Sequence, residues 1–341
     1  MATAITMREV SADDAQLIRR EVLAAGEPCV LKGLVRDWPA VAAGRRSPQE
    51  LVKYLGRFDS GKPVDAIMTP PEVRGRIFYN DTMSGFNFLR NRLPLAQLAE
   101  QVLRYAAFPA PPAVAAQSAL MSEVVPGFVA ENLLGVVGAG AQPRLWLGNA
   151  ITTPTHLDEW NNIGCVVSGR RRFTLFPPEQ VANLYVGPLD FAPTGAPMSL
   201  VPLHAPDFAR FPRFRTALAA AVSAELAPGD ALFIPALWWH HVESLEPFNL
   251  LVNYWWHAGG EPRIDGPCGF DGLILAMLNL RTMPAATRKG WQALFDYYVF
   301  NSAGEPGAHI PEQRRGMLGA LSAEDLAKLR AQLAQRLRET Q

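Results

Sequence analysis

Residues 153–158 read Thr-Pro-Thr-His-Leu-Asp, and the tripeptide His156-Leu157-Asp158 is the most informative pattern in the sequence. In a β-strand, side chains at positions i and i+2 point to the same face. His156 and Asp158 can therefore bind one metal ion together, provided that another segment supplies a third ligand. A His-X-Asp tripeptide also arises often by chance, so the prediction depends on the sequence around it.

His240 is the candidate for the third ligand. It follows a strand-like run, Ala231-Leu-Phe-Ile-Pro235, and the aromatic pair Trp238-Trp239. Two histidines and one carboxylate on one face of a metal leave open positions on the other, which is the arrangement of non-haem Fe(II) oxygenases. Zinc would accept the same three ligands together with water, so the ligands alone leave the identity of the metal open.

Short β-rich runs surround these residues and predict an antiparallel barrel or sandwich. Turn signals such as Ser168-Gly169 and Pro228-Gly229 separate the runs. The runs lie at residues 144–148, 163–167, 172–176, 231–234 and 250–256. The segment from Asp207 to Ala224 breaks the pattern and predicts a helical insert.

Helical patterns flank the β-rich part of the chain. Ser47-Pro-Gln-Glu50 is a capping box with proline at the first helical position. The proline-containing run from Tyr105 to Ser122 is interpreted as a linker. We therefore predict a helix-rich region at 1–115, a catalytic core at 116–260 and a C-terminal helical region at 261–341.

Composition favours a protein with a mixed surface, because the formal net charge is zero. No basic stripe indicates nucleic acid as a partner. The three cysteines form no Cys-X-X-Cys pair, and no signal peptide or membrane helix is evident, so we expect a cytoplasmic protein. A small molecule or a nucleoside in RNA stays open as the substrate.

Residues 153–178 and 228–256, together with the element at 28–39, resemble the cupin-like JmjC family, which includes asparaginyl hydroxylases. The resemblance covers most of residues 28–257. It implies a double-stranded β-helix (cupin or jelly-roll) core with added helices, and a dioxygenase that uses Fe(II) and 2-oxoglutarate to hydroxylate a polypeptide side chain. It also implies His156, Asp158 and His240 as the catalytic metal ligands, with His241 as a hydrogen-bonded residue behind them.

The resemblance further implies a 2-oxoglutarate pocket. Thr153, Asn162 and Asn253 match the family's hydroxyl and two asparagines, and Trp255 matches an aromatic residue near the metal. Tyr79 is a further candidate, as a phenol that could reach the same pocket.

Arg171 stands where the family has a lysine that binds the distal carboxylate of 2-oxoglutarate. Strand alternation directs it away from the face that carries Arg170 and Arg172. A guanidinium can bind a carboxylate through two hydrogen bonds. Alternatively, Arg171 forms an ion pair with a distant acid such as Asp230 or Glu243. The departure from lysine could also mean that the protein uses a different cosubstrate or no cosubstrate.

Rival functions therefore stay open. They are a cupin enzyme of another class, such as a metal-dependent isomerase or a dioxygenase without a cosubstrate, and a non-catalytic binding protein.

The last predicted helix has an apolar stripe formed by Leu326, Leu329, Leu333 and Leu337. Since the family pairs through helices in this place, we expect a homodimer through the C-terminal helices.

Overall fold

The computed structural model describes residues 5–138, 140–257 and 269–339. The chain forms two compact units, Met1–Asp265 and Gly266–Gln341. The predicted boundary between residues 260 and 261 lies outside the described residues.

The first unit is built on two β-sheets. Its strands are β1 (Ile5–Thr6), β2 (Glu9–Ser11), β3 (Cys29–Lys32), β4 (Pro63–Thr69), β5 (Leu89–Pro94), β6 (Ala113–Ala116), β7 (Ala119–Leu120), β8 (Gln142–Gly148), β9 (Thr152–His156), β10 (Asn161–Ser168), β11 (Arg171–Phe176), β12 (Val222–Leu226), β13 (Ala231–Ile234), β14 (Trp239–Ser244) and β15 (Asn249–Trp256). The small sheet has the order β1-β12-β11-β14-β9. The large sheet has the order β2-β3-β13-β10-β15-β8-β6-β4-β5, with β7 beside β8.

The two sheets face each other across an apolar core. Phe173 and Leu175 of the small sheet pack with Val166, Leu232 and Leu251 of the large sheet. The opposite face of the large sheet is also buried, because helices cover it, and this explains why its strands read as continuous apolar runs. This architecture confirms the predicted jelly-roll core with added helices.

Helices complete both units. Those of the first unit are α1 (Ala15–Leu17), α2 (Pro39–Arg46), α3 (Pro48–Gly56), α4 (Leu95–Tyr105), α5 (Met121–Val124), α6 (Phe128–Glu131) and α7 (Phe214–Ala219). Those of the second unit are α8 (Gly269–Leu280), α9 (Ala285–Tyr298) and α10 (Ala323–Glu339). The capping box at the start of α3 forms as predicted, since the hydroxyl of Ser47 accepts from the backbone N–H of Glu50 at 3.1 Å. None of the described helices is both long and apolar enough to cross a membrane.

The structure corrects two of the sequence interpretations. The run from Tyr105 to Ser122 is not a linker, because β6 and β7 within it join the large sheet, and every residue of β6 is buried. The insert at 207–224 contains only the short helix α7 before β12 begins at Val222. Alanine-rich β6 has no strand-like period of its own, and its extended form follows from pairing with β4 and β8.

Residues 1–115 also contribute more to the sheets than the helix-rich prediction suggests. Strands β2 to β6 belong to the large sheet, and β1 pairs with β12 at the edge of the small sheet. The N-terminal part of the chain is therefore continuous with the core rather than a separate helical layer.

Candidate metal centre

The three predicted metal ligands lie together at one end of the small sheet. His156 ends β9, Asp158 follows two residues later, and His240 lies opposite His156 on β14. One ligand atom from each of the three residues lies within 4.8 Å of the other two. Nε2 of His240 is 3.6 Å from Oδ2 of Asp158, and the two imidazole rings are 4.2 Å apart between centroids. This geometry suits a single metal ion bound by all three side chains.

Backbone carbonyls fix the orientation of both imidazoles. Nδ1 of His156 donates to the carbonyl of Pro154 at 2.8 Å, and Nδ1 of His240 donates to the carbonyl of Trp238 at 3.0 Å. Because a carbonyl can only accept, Nδ1 carries the proton and Nε2 keeps its lone pair for a metal. Burial, helped by nearby His156, lowers the pKa of His240 to about 4, so this imidazole is neutral, as a ligand must be.

A β-bulge brings Thr153 to the same face as His156. On β14, His240 and Val242 are two positions apart, but their partners on β9 are His156 and Thr153, which are three apart. The extra residue lies around Pro154, which has no N–H to donate to a regular ladder. Regular alternation would have put Thr153 and His156 on opposite faces, and the bulge lets both side chains line one cavity.

This inner cavity has a volume of about 150 Å³ and lies between the two sheets. Besides the three metal ligands, its lining includes five of the six predicted cosubstrate residues: Thr153, Asn162, Arg171, Asn253 and Trp255. At roughly 30 Å³ for each water molecule, the volume equals about five waters. The cavity is therefore the right size for a small organic acid beside a metal ion.

The two asparagines of the cavity lie on neighbouring strands and contact each other. Nδ2 of Asn253 donates to Oδ1 of Asn162 at 3.3 Å, and the indole N–H of Trp146 donates to Oδ1 of Asn253 at 2.8 Å. The indole N–H of Trp255 is closed off from solvent and has no hydrogen-bond partner within the described part of the chain. An unsatisfied donor in a polar cavity indicates a ligand or water that would accept from it.

Arg171 points into the inner cavity, as the alternation of β11 predicts. Its side chain is buried (6% exposed), and its one hydrogen bond within the described residues is a 3.5 Å contact with the carbonyl of Trp146. Its Nε has no partner there. Burial lowers the pKa of Arg171 to about 10, which reflects the cost of removing a cation from water.

The acids considered as partners of Arg171 are engaged elsewhere. Glu243 pairs with Arg172 at 3.5 Å on the outer face of the sheet, and Asp230 pairs with Lys32 at 2.5 Å. The guanidinium of Arg171 therefore faces the cavity without a carboxylate from the residues that the structure describes. An anionic ligand would satisfy this guanidinium.

Tyr79 and His241 lie away from the inner cavity. The hydroxyl of Tyr79 donates to the carbonyl of Phe191 at 2.6 Å, and the ring lines a different cavity on the outer face of the small sheet. His241 lines that outer cavity too, with 5% of the residue exposed. Burial lowers the pKa of His241 to about 3, and the charges of nearby groups, including His204 and Arg76, contribute.

Five further polar or aromatic residues line the inner cavity without having been predicted as site residues: Gln117, Ser118, Trp146, Phe173 and Thr194. Trp146 is two positions from Arg144, the partner of Asn253 on β15, so alternation puts it on the face that carries Asn253 once this pairing is known. Gln117 and Ser118 lie at the β6–β7 turn, inside the run interpreted as a linker. Thr194 lies in a long connection, where no periodic pattern relates a residue to the site.

Comparison with known proteins gives a family match over most of the chain and matches of different lengths to individual relatives. The family model named cupin-like domain matches residues 15–261. HSPB1-associated protein 1 of Homo sapiens is 40% identical over 118 residues, which are 34% of this chain and 24% of that protein. Lysine-specific demethylase JMJ31 of Arabidopsis thaliana is 36% identical over 116 residues, 34% of this chain and 21% of that protein. The match thus spans about a quarter of the length of these relatives.

The longest of these matches is to the bifunctional peptidase and (3S)-lysyl hydroxylase JMJD7 of Homo sapiens. The identity is 26% over 266 residues, which cover 70% of this chain and 79% of that protein. This similarity extends over most of both chains rather than over a single segment.

Proposed function

The chain belongs to the cupin-like domain family of JmjC type, and on that premise we propose that it is an Fe(II)- and 2-oxoglutarate-dependent dioxygenase that hydroxylates a protein or peptide side chain. One observation carries this proposal: the His-Asp-His cluster shares a small inner cavity with a buried arginine that lacks a carboxylate partner among the described residues. A bound metal would satisfy the His-Asp-His cluster, and a dianionic cosubstrate would satisfy the buried arginine.

His156, Asp158 and His240 would hold the iron, with the carbonyls of Pro154 and Trp238 keeping each Nε2 directed at it. When bound, Fe(II) supplies the open coordination positions at which 2-oxoglutarate and oxygen react. The carboxylate of Asp158 supplies the negative charge of the ligand set. The apolar sheet residues around the cavity exclude water from the reacting centre.

Arg171 would bind the distal carboxylate of 2-oxoglutarate in place of the family's lysine. Its planar guanidinium offers two parallel N–H donors to such a group. Thr153, Asn162 and Asn253 would add hydrogen bonds, and the free indole N–H of Trp255 would donate to an oxygen of the bound ligand. These residues already line the cavity, so little reorganisation is needed on binding.

A polypeptide substrate is proposed from the relatives. The names of JMJD7 and JMJ31 give lysine as the residue on which those proteins act. An enzyme that hydroxylates a polypeptide side chain must admit part of the substrate to the cavity, whose lining includes Gln117 and Thr194. We propose cytoplasmic location for the same reason that the sequence suggested it, the absence of a disulfide pattern.

The test is an anaerobic titration of the full chain with Fe(II) and then 2-oxoglutarate. We expect a visible charge-transfer absorption band that needs both additions, and conversion of 2-oxoglutarate to succinate once oxygen is admitted. His240→Ala serves as the control without a complete ligand set, and circular dichroism checks its fold. A wild-type chain that binds Fe(II) but gives neither band nor succinate would refute the proposal in favour of another class of cupin enzyme.

We also propose a homodimer through the C-terminal helices. Along α10, Leu333 and Leu337 are each 51% exposed, and on α8 Leu278 is 74% exposed. Apolar side chains on a terminal unit gain stability when a second copy covers them. Deleting residues 321–341 should halve the mass measured by light scattering, and an unchanged mass would refute the proposed interface.

A further inference from the structure

The outer face of the small sheet carries a second cavity, which the proposed function does not use. Its volume is about 720 Å³. His241 and Glu243 of β14 line it, whereas His240 and Val242 of the same strand line the inner cavity. Because neighbouring residues of a strand point to opposite faces, the two cavities are separated by the sheet itself.

Arg76 is the most unusual residue in this outer cavity. Its side chain is half-buried, and burial is the cause that lowers the pKa of Arg76. The guanidinium lies 3.8 Å from the centre of the Phe78 ring. Within the described residues it forms no ion pair and no side-chain hydrogen bond, so its charge is partly removed from water without compensation by an acid. Such a cation is costly unless an anion meets it.

The backbone, and not a partner for its side chain, holds Arg76 in place. The N–H of Thr152 donates to the carbonyl of Gly75 at 2.9 Å, and the N–H of Ile77 donates to the carbonyl of Thr152 at 3.1 Å. Arg74 adopts a left-handed φ of 49°, which costs about 1–2 kcal/mol for a residue with a Cβ. Local strain of this kind often marks a binding site.

Two histidines line the same cavity as Arg76. The ring of His241 is buried, and its Nδ1 has no hydrogen-bond partner within the described residues. His204 lies exposed at the rim of the same cavity. The acid nearest to His241 along β14, Glu243, already pairs with Arg172 at 3.5 Å. The cavity thus combines the guanidinium of Arg76 with two imidazoles, while the carboxylates of Glu72, Asp81 and Glu243 also line it.

We propose that this outer cavity binds a small organic anion through a carboxylate or phosphate group, with Arg76 as the principal ligand-binding residue and His204 and His241 as additional hydrogen-bond donors. Its volume lies within the ~300–1,000 Å³ range of small-molecule sites. A guanidinium stacked on an aromatic ring keeps its N–H edge free for such a group. The proposal does not rest on the enzymatic function, since Arg171 lies on the other face of the sheet.

Isothermal titration calorimetry with two probes, inorganic phosphate and succinate, tests the site. The full chain carries Arg171→Gln throughout, so that the inner cavity does not contribute a carboxylate site. We expect at least one probe to bind, and Arg76→Gln to weaken that binding by about tenfold or more, as loss of a charged hydrogen-bond partner would. Tighter phosphate binding identifies an organophosphate as the ligand, and tighter succinate binding identifies an organic acid.

Arg74→Gln is the matched control, because Arg74 is exposed on the same cavity and two positions away. Its effect on affinity should stay within about twofold, as for a surface charge. Arg76→Lys should give an intermediate affinity. It replaces Arg76→Gln as the test variant if Arg76→Gln melts at a lower temperature than the parent chain. Failure of both probes to bind the folded parent chain, or equal affinity with and without Arg76→Gln, would overturn the proposal.

Discussion

Replacing Arg171 with methionine should stabilise the protein without ligands and weaken its binding of 2-oxoglutarate. Methionine is unbranched like the aliphatic stem of arginine, although it is shorter overall, and it fills irregular apolar space well. If Arg171 merely supported the fold, its replacement would lower the stability of the protein. If Arg171 serves to bind an anionic ligand, its replacement should raise the stability of the ligand-free protein. Measuring stability and 2-oxoglutarate affinity together therefore separates the two roles.

The magnitude follows from the burial of the guanidinium. Burial lowers the pKa of Arg171 well below its ordinary value, to about 10. At ~1.36 kcal/mol per pKa unit, the charge lowers the free energy of unfolding by about 3 kcal/mol. The folded state holds this proton less tightly than the unfolded state, so the cost is fully present below pH 10. It disappears only as the pH rises toward the pKa of arginine in the unfolded chain.

Methionine also removes the 3.5 Å hydrogen bond from Arg171 to the carbonyl of Trp146, which is worth about 1 kcal/mol. The net expectation is therefore a gain of about 2 kcal/mol in the free energy of unfolding. Binding of 2-oxoglutarate should weaken by at least about 30-fold, the lower end of the ~2–5 kcal/mol that loss of a buried charge partner costs.

Urea unfolding at pH 7.5 without metal or cosubstrate measures the first quantity. Calorimetric titration of 2-oxoglutarate into the anaerobic Fe(II) form measures the second. Arg172→Met is the matched control, because Arg172 is the exposed neighbour that pairs with Glu225 and Glu243. It should change either quantity little. If Arg171→Met destabilised the protein, or bound 2-oxoglutarate as tightly as wild type, the reasoning would be refuted.

Three further predictions follow from the site and the turn beside it. Asp158→Asn should lower Fe(II) affinity by about 100-fold or more, beyond the ~10–100-fold effect of an outer partner; equilibrium dialysis measures this, and an unchanged affinity would exclude the residue as a ligand. Since burial lowers the pKa of His240 from 6.5 to about 4, the unfolded chain takes up this proton first, so the metal-free protein should keep its full stability above pH 6.5 and lose part of it as the pH falls toward 4. His240→Gln should flatten that loss between urea titrations at pH 7.5 and 5, and an equally steep loss would contradict the assignment. Gly169→Ala should destabilise the protein more than Gly61→Ala, since both have φ of 73° and share a strain of about 1–2 kcal/mol, but only at Gly169 would the new Cβ collide with Asn249; equal melting temperatures of the two variants would count against this.

The central strands were predictable because their sequences are strongly apolar and turn residues separate them. The runs at 163–167, 172–176, 231–234 and 250–256 all fall within strands β10, β11, β13 and β15. Strand β6 was missed because its alanines have weak preferences of their own, and neighbouring strands determine its conformation. Strand β1 is only two residues long and its partner β12 lies far along the chain, so local pattern could not reveal it.

The site shows the same division between local and distant information. Alternation correctly directs Arg171 into the cavity and its two neighbours outward, since β11 is regular. Thr153 could not follow from alternation with His156, because the bulge at Pro154 changes the register; only the family pattern suggested it. Tyr79 was placed without any strand pairing to guide it, and the structure leaves it on the outer face of the sheet.

The two carbonyls that hold His156 and His240 have a wider consequence. Each belongs to the residue two positions before the histidine on its own segment, Pro154 and Trp238. The path of the main chain, and no other side chain, therefore selects the tautomer of both ligands. A peptide carbonyl does not titrate in the physiological range and cannot be deleted by substitution. Substitutions in surface loops and around the cavity should therefore leave the tautomer of both histidines unchanged.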